Sequence, residues 1–137
     1  MKIDIDAMYQ VAEQARQHSH SPYSHFSVGS CVLTETGKMF GGCNVENASY
    51  PLGQCAEASA IGNMVTQLGP QKIRAILIVV DTHTVIGSCG GCLQKILEFA
   101  TPETEIIMCN TTSKRERRFF KEFLPISFSS KDLGSLR

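Results

Sequence analysis

The chain has 137 residues, of which 42% are hydrophobic and 19% charged, with 13 basic and 13 acidic side chains and six cysteines. A chain of this length buries roughly two-thirds of its unfolded surface, so we expect one domain over residues 1–137 that needs no disulfides. This composition excludes a disordered chain, and the longest apolar run, residues 75–80, is too short to cross a bilayer. The zero formal net charge gives no general affinity for nucleic acid.

The N-terminal segment carries acidic residues where a secretory signal needs an apolar stretch, and it lacks the arginine-rich pattern of a transit peptide. We therefore expect a cytoplasmic protein. Because thiols stay reduced in that compartment, the six cysteines are expected to be metal ligands, reactive thiols or core residues rather than disulfides.

The first half of the chain predicts a helix, a hairpin and a second helix. Asp4 is a candidate N-cap for the first helix, and Thr36-Gly37 forms the turn of the hairpin. The second helix begins at or near Cys55 and ends at Gly69-Pro70. The apolar patterns that define these elements cover residues 5–15, 28–33, 38–43 and 55–68.

The second half alternates strands with a helix. Residues 73–80 are apolar on both faces apart from Arg74, as expected of a central strand covered on both sides. A helix begins near Cys89, and residues 105–109 form another buried strand. This alternation favours an α/β fold in which a mixed sheet lies between two helical layers.

One basic run, residues 114–118, has two interpretations. It contains one lysine and three arginines and could form a patch that binds nucleic acid. The alternative is the solvated face of an amphipathic helix whose Phe119, Phe120 and Phe123 face the core.

Two short motifs, each at the start of a predicted helix, carry the candidate chemistry: Cys55-Ala56-Glu57 and Cys89-Gly90-Gly91-Cys92. Two cysteines separated by two residues can bind one metal, and Cys55 supplies a third thiolate for a tetrahedral Zn²⁺. The N-terminus of a helix also lowers the pKa of a thiol, which favours the thiolate needed for ligation. Three protein ligands are typical of a catalytic zinc that keeps a position for water.

A fourth protein ligand would instead indicate a structural site. Cys31 and Cys109 lie in predicted strands among apolar neighbours, where a free cysteine is usually a core residue. We therefore expect no fourth ligand from the remaining candidates, which are Cys31, Cys43, Cys109, His18, His20, His25 and His83.

Glu57 follows Cys55 by two residues, and beside three metal ligands it fits a general acid and base that moves protons to and from water. Considered alone, it would more simply stabilise the first turn of its helix through the helix dipole.

The run Asn44-Val45-Glu46-Asn47-Ala48-Ser49-Tyr50-Pro51-Leu52-Gly53, leading into Cys55-Ala56-Glu57, resembles the cytidine deaminase family in its small homotetrameric form. The resemblance covers nearly the whole chain. It extends to Ser21-Pro22-Tyr23-Ser24-His25-Phe26, Val28-Gly29, the Cys-x-x-Cys helix, Leu124-Pro125, Phe128 and Asp132-Leu133.

The resemblance implies a three-layer α/β/α sandwich around a mixed, roughly five-stranded sheet. It also implies zinc-dependent hydrolysis of the amidine carbon–nitrogen bond of cytidine, deoxycytidine or both, which belongs to pyrimidine salvage. Zn²⁺ would be bound by Cys55, Cys89 and Cys92. Glu57 would move a proton from water to N3 of the pyrimidine and then to the departing ammonia.

By the same resemblance, Asn44 and Glu46 would hold the ribose hydroxyls, and Phe26 would pack on the pyrimidine. The backbone of Ala56 would recognise the edge of the base. The residues that would complete the pocket across a subunit boundary are Tyr50 and Phe128.

Three departures from the family pattern cluster around the metal motifs. Ala58 stands where the family has Arg, Ser88 where it has Pro, and Leu93 where it again has Arg. Three thiolates leave zinc with a net charge of −1, which opposes deprotonation of its water and which an arginine would offset. The hypothesis is that helix N-termini, with Lys95 or a cation of a neighbouring subunit, supply that charge, while Ser88 caps the following helix.

Two other functions compete with this one. The first is deamination of a modified or larger aminopyrimidine nucleoside, as in the blasticidin-type deaminases, with Ala58 and Leu93 as the residues that would shift the substrate. The second is a non-catalytic zinc-binding homologue, against which Glu57 argues because a structural site needs no carboxylate beside its metal. Neither a nucleic acid nor a membrane is expected as a partner.

Overall fold

The computed structural model describes residues 2–135 and contains one mixed sheet of five strands in the order β2-β1-β3-β4-β5. The strands are β1 (Val28–Thr34), β2 (Met39–Cys43), β3 (Ile73–Val80), β4 (Ala100–Asn110) and β5 (Arg115–Phe119). The helices are α1 (Ile5–Arg16), α2 (Ala56–Leu68), α3 (Gly90–Leu97) and α4 (Ser130–Ser135). β3 and β4 are parallel, and the other neighbouring strands are antiparallel.

Helices cover both faces of the sheet, so the predicted three-layer arrangement is confirmed. Alternate side chains of β3 point to opposite faces, as the two-residue period of a strand requires. Leu77 packs in a core cluster with Met8 of α1, whereas Ile76 packs in a second cluster with Met64 of α2 and Ile96 of α3.

The local signals of the first half place their elements correctly. Asp4 caps α1, because its Oδ1 accepts a hydrogen bond from the backbone nitrogen of Ala7 at 3.0 Å. Gly37, in the turn between β1 and β2, has a φ of +91°, in the left-handed region that glycine adopts without cost. α2 ends before Gly69, as predicted.

The prediction of an amphipathic helix around the basic run is wrong. Arg115–Phe119 is a strand that pairs antiparallel with β4, and a 3-10 turn, Phe120–Glu122, comes directly after it. Phe120 is buried as predicted and Phe123 packs at the border of the core, but Phe119 remains 46% exposed. The physical reason is the unpaired edge of β4, whose backbone groups bond to this segment and override its local pattern.

The arginines of β5 are compensated by carboxylates. Glu105 on β4 is buried and accepts hydrogen bonds from both Arg117 and Arg74. The β5 arginine pairs are Arg115 with Asp6 at 2.7 Å, Arg117 with Glu105 at 2.9 Å and Arg118 with Glu116 at 3.3 Å. The positive charge of the run is therefore balanced within the chain.

Between residues 2 and 135, no helix has both the length and the apolar character needed to cross a membrane.

Candidate active site

The N-termini of α2 and α3 meet beside the same end of the sheet. Cys55 and Cys89 are the N-cap residues of these helices and have extended backbone conformations, which agrees with the predicted helix starts. Cys92 lies in the first turn of α3. The topology therefore brings together two motifs that are more than thirty residues apart in the chain.

The three cysteines form a cluster with the spacing of a metal site, since their Sγ atoms all lie within 4.8 Å of one another. Two thiolates bound to zinc at about 2.3 Å in tetrahedral geometry are about 3.8 Å apart, a separation that falls within this limit. Within the described part of the chain, no other group of three or more His, Cys, Asp or Glu residues brings its ligand atoms this close. Cys31 and Cys109 are instead buried in the core cluster beneath α1.

Local charges around the sulfurs differ. Hydrogen bonds from the backbone N–H groups of Cys92 and then Gly91 lower the pKa of the Cys89 thiol. Burial, followed by the negative charge of Glu57, raises the pKa of both Cys55 and Cys92. The expected lowering of the thiol pKa at a helix N-terminus is thus confirmed at Cys89 and wrong at Cys55 and Cys92. A cation among these groups would offset the burial and the repulsion, so the donor set fits a thiophilic divalent metal.

Beside the sulfurs lies a cavity of about 410 Å³, a size typical of small-molecule sites. Glu57 is 5% exposed and lines this cavity together with the metal cluster. Eight of the ten residues selected from the sequence line it: Phe26, Asn44, Glu46, Cys55, Ala56, Glu57, Cys89 and Cys92.

The other two selected residues lie outside the cavity. Tyr50 is 73% exposed and borders a neighbouring cleft of about 260 Å³, where its ring centroid is 5.6 Å from that of Tyr23. Phe128 is 58% exposed, and its carbonyl accepts a hydrogen bond from Nε2 of Gln94 at 2.8 Å. A single chain does not bring these two side chains into the cavity.

Asn44 anchors the segment that carries Phe26. Its Oδ1 accepts hydrogen bonds from the Ser19 hydroxyl and, at 2.9 Å, from the backbone nitrogen of Val28. Its Nδ2 donates to the carbonyl of Phe26 at 2.7 Å. One hydrogen of the amide group remains for a ligand.

Glu46 anchors the same segment at Tyr23 and Ser24, which lie three and two residues before Phe26. Its Oε1 accepts from the backbone nitrogens of Tyr23 at 3.0 Å and Ser24 at 3.1 Å, and its Oε2 accepts from the Ser24 hydroxyl. The hydrogen bond from the Ser24 hydroxyl is the main cause that lowers the pKa of Glu46, with smaller contributions from these backbone groups. Glu46 is thus held as a carboxylate at the cavity wall.

Seven further residues line the cavity besides the eight predicted from the sequence. Ser24 belongs to the motif that carries Phe26, and Gln54 precedes Cys55. The positions of these two residues in the sequence therefore indicate that they lie near the cavity. Gly53 ends the run that leads into Cys55, whereas the remaining ones come from β1, from β3 and from the loop before α3, and only the fold brings these here. The seven are Ser24, Val28, Gly53, Gln54, Ile78, Ile86 and Gly87.

The three departures have separate structural settings. Ala58 and Lys95 both line a cleft of about 460 Å³ between α2 and α3. Leu93 packs in the core cluster beneath these helices. The prediction that Ser88 caps α3 is wrong, because Cys89 is the N-cap and the buried Ser88 hydroxyl has no hydrogen-bond partner within the described chain.

Comparison with known proteins agrees with this geometry. Residues 2–108 match the family described as the cytidine and deoxycytidylate deaminase zinc-binding region. Cytidine deaminase of Mycoplasma pneumoniae is 41% identical over 120 residues, which are 87% of this chain and 89% of that protein. Cytidine deaminase of Sporosarcina psychrophila is 33% identical over 132 residues, 96% of each chain.

Solved structures show the same architecture. The crystal structure of cytidine deaminase from Burkholderia pseudomallei superposes with a TM-score of 0.86 at 36% identity, covering 92% of this chain and 100% of that one. Cytidine deaminase from Mycobacterium tuberculosis gives a TM-score of 0.80 at 31% identity, covering 93% and 98%. The chain therefore belongs to the family of cytidine and deoxycytidylate deaminases with a zinc-binding region.

Proposed function

We propose that this chain is a zinc-dependent hydrolase that converts cytidine and deoxycytidine, with water, into uridine and deoxyuridine and releases ammonia. The observation that carries this proposal is one cavity that holds three cysteine sulfurs and the buried carboxylate of Glu57. Family membership over most of the chain supports the same reaction.

Cys55, Cys89 and Cys92 would hold the zinc, which supplies Lewis-acid activation of a water molecule at neutral pH. Glu57 accepts a proton from that water and donates it to N3 of the pyrimidine as the water oxygen attacks C4. The same carboxylate then transfers the second water proton to the departing amino group, which leaves as ammonia. Because Glu57 is almost fully buried, bulk water does not compete for these protons.

The other residues that line the cavity bind the nucleoside. Phe26 packs on the face of the pyrimidine, and the backbone of Ala56 hydrogen-bonds to its edge. The remaining amide hydrogen of Asn44 and the carboxylate of Glu46 bind the sugar hydroxyls, since a carboxylate accepts from O–H donors. These roles place the base near the metal cluster and the sugar near the loop that Glu46 anchors.

The test compares Glu57→Gln with the wild type, by following conversion of cytidine to uridine and the zinc content of the same preparation. We expect Glu57→Gln to lose at least about 100-fold in kcat, within the range that general acid–base catalysis contributes, and to keep its zinc. Glu35→Gln changes an exposed carboxylate far from the cavity and should match the wild type. Full activity of Glu57→Gln would contradict the proposal.

A substrate series defines the range of the enzyme. Wild-type protein is given cytidine, deoxycytidine, an enlarged aminopyrimidine nucleoside and single-stranded DNA, and ammonia release is measured. We expect the two small nucleosides to be the preferred substrates. Preference for the enlarged nucleoside would favour the blasticidin-type alternative, and a zinc-loaded protein inactive on all four would favour the non-catalytic one.

The proposal includes a homotetramer in the cytoplasm that serves pyrimidine salvage. Exposed apolar side chains near the cavity rim and the C-terminal segment support self-association, and Tyr50 and Phe128 would then reach the cavity of a neighbouring subunit. A cluster of three reduced thiols suits a reducing compartment. Light scattering should give four times the mass of 15.0 kDa, and a monomer that is fully active would refute the shared pocket.

A further inference from the structure

The mechanism above leaves unused one hydroxyl that lines the cavity, that of Ser24. This hydroxyl donates a hydrogen bond to Oε2 of Glu46 and accepts one from the backbone nitrogen of Phe26 at 3.0 Å. A single oxygen atom thus connects the residue that binds the sugar to the residue that packs on the base.

We propose that Ser24 is a positioning residue for the nucleoside, which fixes the Glu46 carboxylate and the Phe26 ring relative to each other. This inference rests on the proposed function, because it assumes that Glu46 and Phe26 contact the sugar and the base.

The first support comes from the acceptor sites of Glu46. A carboxylate has about four lone-pair positions, two on each oxygen. The backbone N–H groups of Tyr23 and Ser24 occupy both positions of Oε1, and the Ser24 hydroxyl occupies one of Oε2. The position that remains for a sugar hydroxyl therefore lies on Oε2, the oxygen that Ser24 orients.

The second support comes from the backbone between Ser24 and Phe26. His25 has a φ of +56°, in the left-handed region that a residue with a side chain rarely adopts. The turn is held on one side by the bond from the His25 nitrogen to the Ser21 carbonyl at 3.0 Å, and on the other by the bond from Phe26 to the Ser24 hydroxyl. Without that hydroxyl, the nitrogen of Phe26 loses its acceptor, and the strained turn that places the ring can relax.

The test is a comparison of Ser24→Ala, Ser24→Thr and Ser27→Ala. Ser24→Thr keeps the hydroxyl, and Ser27→Ala removes a hydroxyl from the same loop that bonds to Ser21 at 2.9 Å and does not line the cavity. For each variant, kcat and KM are measured with cytidine and with 2′,3′-dideoxycytidine, together with zinc content and Tm.

We expect Ser24→Ala to raise KM for cytidine about tenfold or more, the effect of losing a hydrogen bond to a charged group, while kcat changes by less than about threefold. KM for 2′,3′-dideoxycytidine should rise less, because that nucleoside lacks the 2′ and 3′ hydroxyls from which Oε2 would accept a hydrogen bond. Ser24→Thr and Ser27→Ala should stay within about twofold of the wild type, with unchanged zinc content and Tm.

An unchanged KM of Ser24→Ala for cytidine would overturn the inference. An equal rise in KM for both nucleosides would also overturn it, and so would a fall in Tm and zinc content large enough to explain the rise in KM. A zinc-loaded wild type that deaminates neither nucleoside would instead refute the proposed function. The two failures are therefore separate results of one experiment.

Discussion

Gly42 on β2 lies directly against Ala60 on α2, so closely that a Cβ atom on the glycine would be 2.3 Å from the backbone nitrogen of the alanine. The same atom would be 2.6 Å from the carbonyl oxygen of Ala56, which opens the helix. The absence of a side chain at one strand position thus sets how closely α2, with Cys55 at its start, approaches the sheet.

We expect Gly42→Ala to displace α2, to lower the free energy of unfolding by about 1–3 kcal/mol or more, and to weaken zinc binding. Denaturant unfolding and metal analysis measure both effects. Gly62→Ala is the matched control within α2, because a Cβ atom added at this position meets nothing within 4 Å. This substitution should stabilise the helix by about 0.5–1 kcal/mol. A Gly42→Ala protein with wild-type stability and zinc content would show that this contact does not position the helix.

Removal of one metal ligand should separate the two classes of cysteine. Cys92→Ala is expected to purify with little zinc and without turnover, because two thiolates leave the metal site incomplete. Cys109→Ala removes an equally buried thiol on the other side of the sheet and should keep zinc and activity at a cost of about 1 kcal/mol in stability. Elemental analysis and urea unfolding distinguish these outcomes, and zinc loss in Cys109→Ala would contradict the assignment.

The negative charge of three thiolates and Glu57 predicts that an added cation near the cluster increases kcat. The cleft of about 460 Å³ beside Ala58, one helical turn from Cys55, has room for a longer side chain. We expect Ala58→Arg to raise kcat by up to about tenfold, equivalent to about 1.4 kcal/mol in the barrier. Ala58→Met fills the same space without charge, so an equal response of kcat to both variants would exclude an electrostatic cause.

The ion-pair cluster at the sheet edge predicts a loss of stability that leaves the active site intact. Glu105 is buried and accepts from Arg74 and Arg117, so Glu105→Gln should lower the free energy of unfolding by about 1–3 kcal/mol. Glu116→Gln disrupts an exposed pair with Arg118 and should change it by less than about 1 kcal/mol. Equal effects of the two substitutions on urea unfolding would contradict this distinction, while kcat should stay unchanged in both.

Short-range patterns in the sequence predicted most elements and the metal motifs. Capping by Asp4, the helical spacing after Cys55 and the apolar run of β3 are properties of neighbouring residues, and neighbouring residues decide local backbone structure. The Cys-x-x-Cys motif likewise places two sulfurs within one turn of a helix. Such features can be predicted without knowledge of the rest of the fold.

The helix interpretation of Arg115–Phe119 is wrong because the structure of this segment depends on β4, the strand that precedes it across a short loop. Its own residues fit a helix, but the open edge of β4 offers a row of backbone donors and acceptors that only a strand can satisfy. Glu105 then forms ion pairs with Arg117 on this strand and with Arg74 on β3, the neighbour of β4 on its other side. The loop between the two strands supports this pairing, because Oδ1 of Asn110 accepts from the backbone nitrogens of Thr112 and Lys114, but the apolar spacing of the segment itself does not show it.

The sequence by itself determined the chemistry available to this protein, namely three thiols and a carboxylate at two helix starts in a chain with balanced charge. Only the tertiary structure decided that these groups share one cavity, that Ser24 connects Glu46 with Phe26, and that Tyr50 lies outside the cavity of its own chain. The physical reason is the sequence distance over which interactions act. Residue types set local conformation and reactivity, whereas close approaches such as that of Gly42 to Ala60 arise only when the whole sheet and its helices pack.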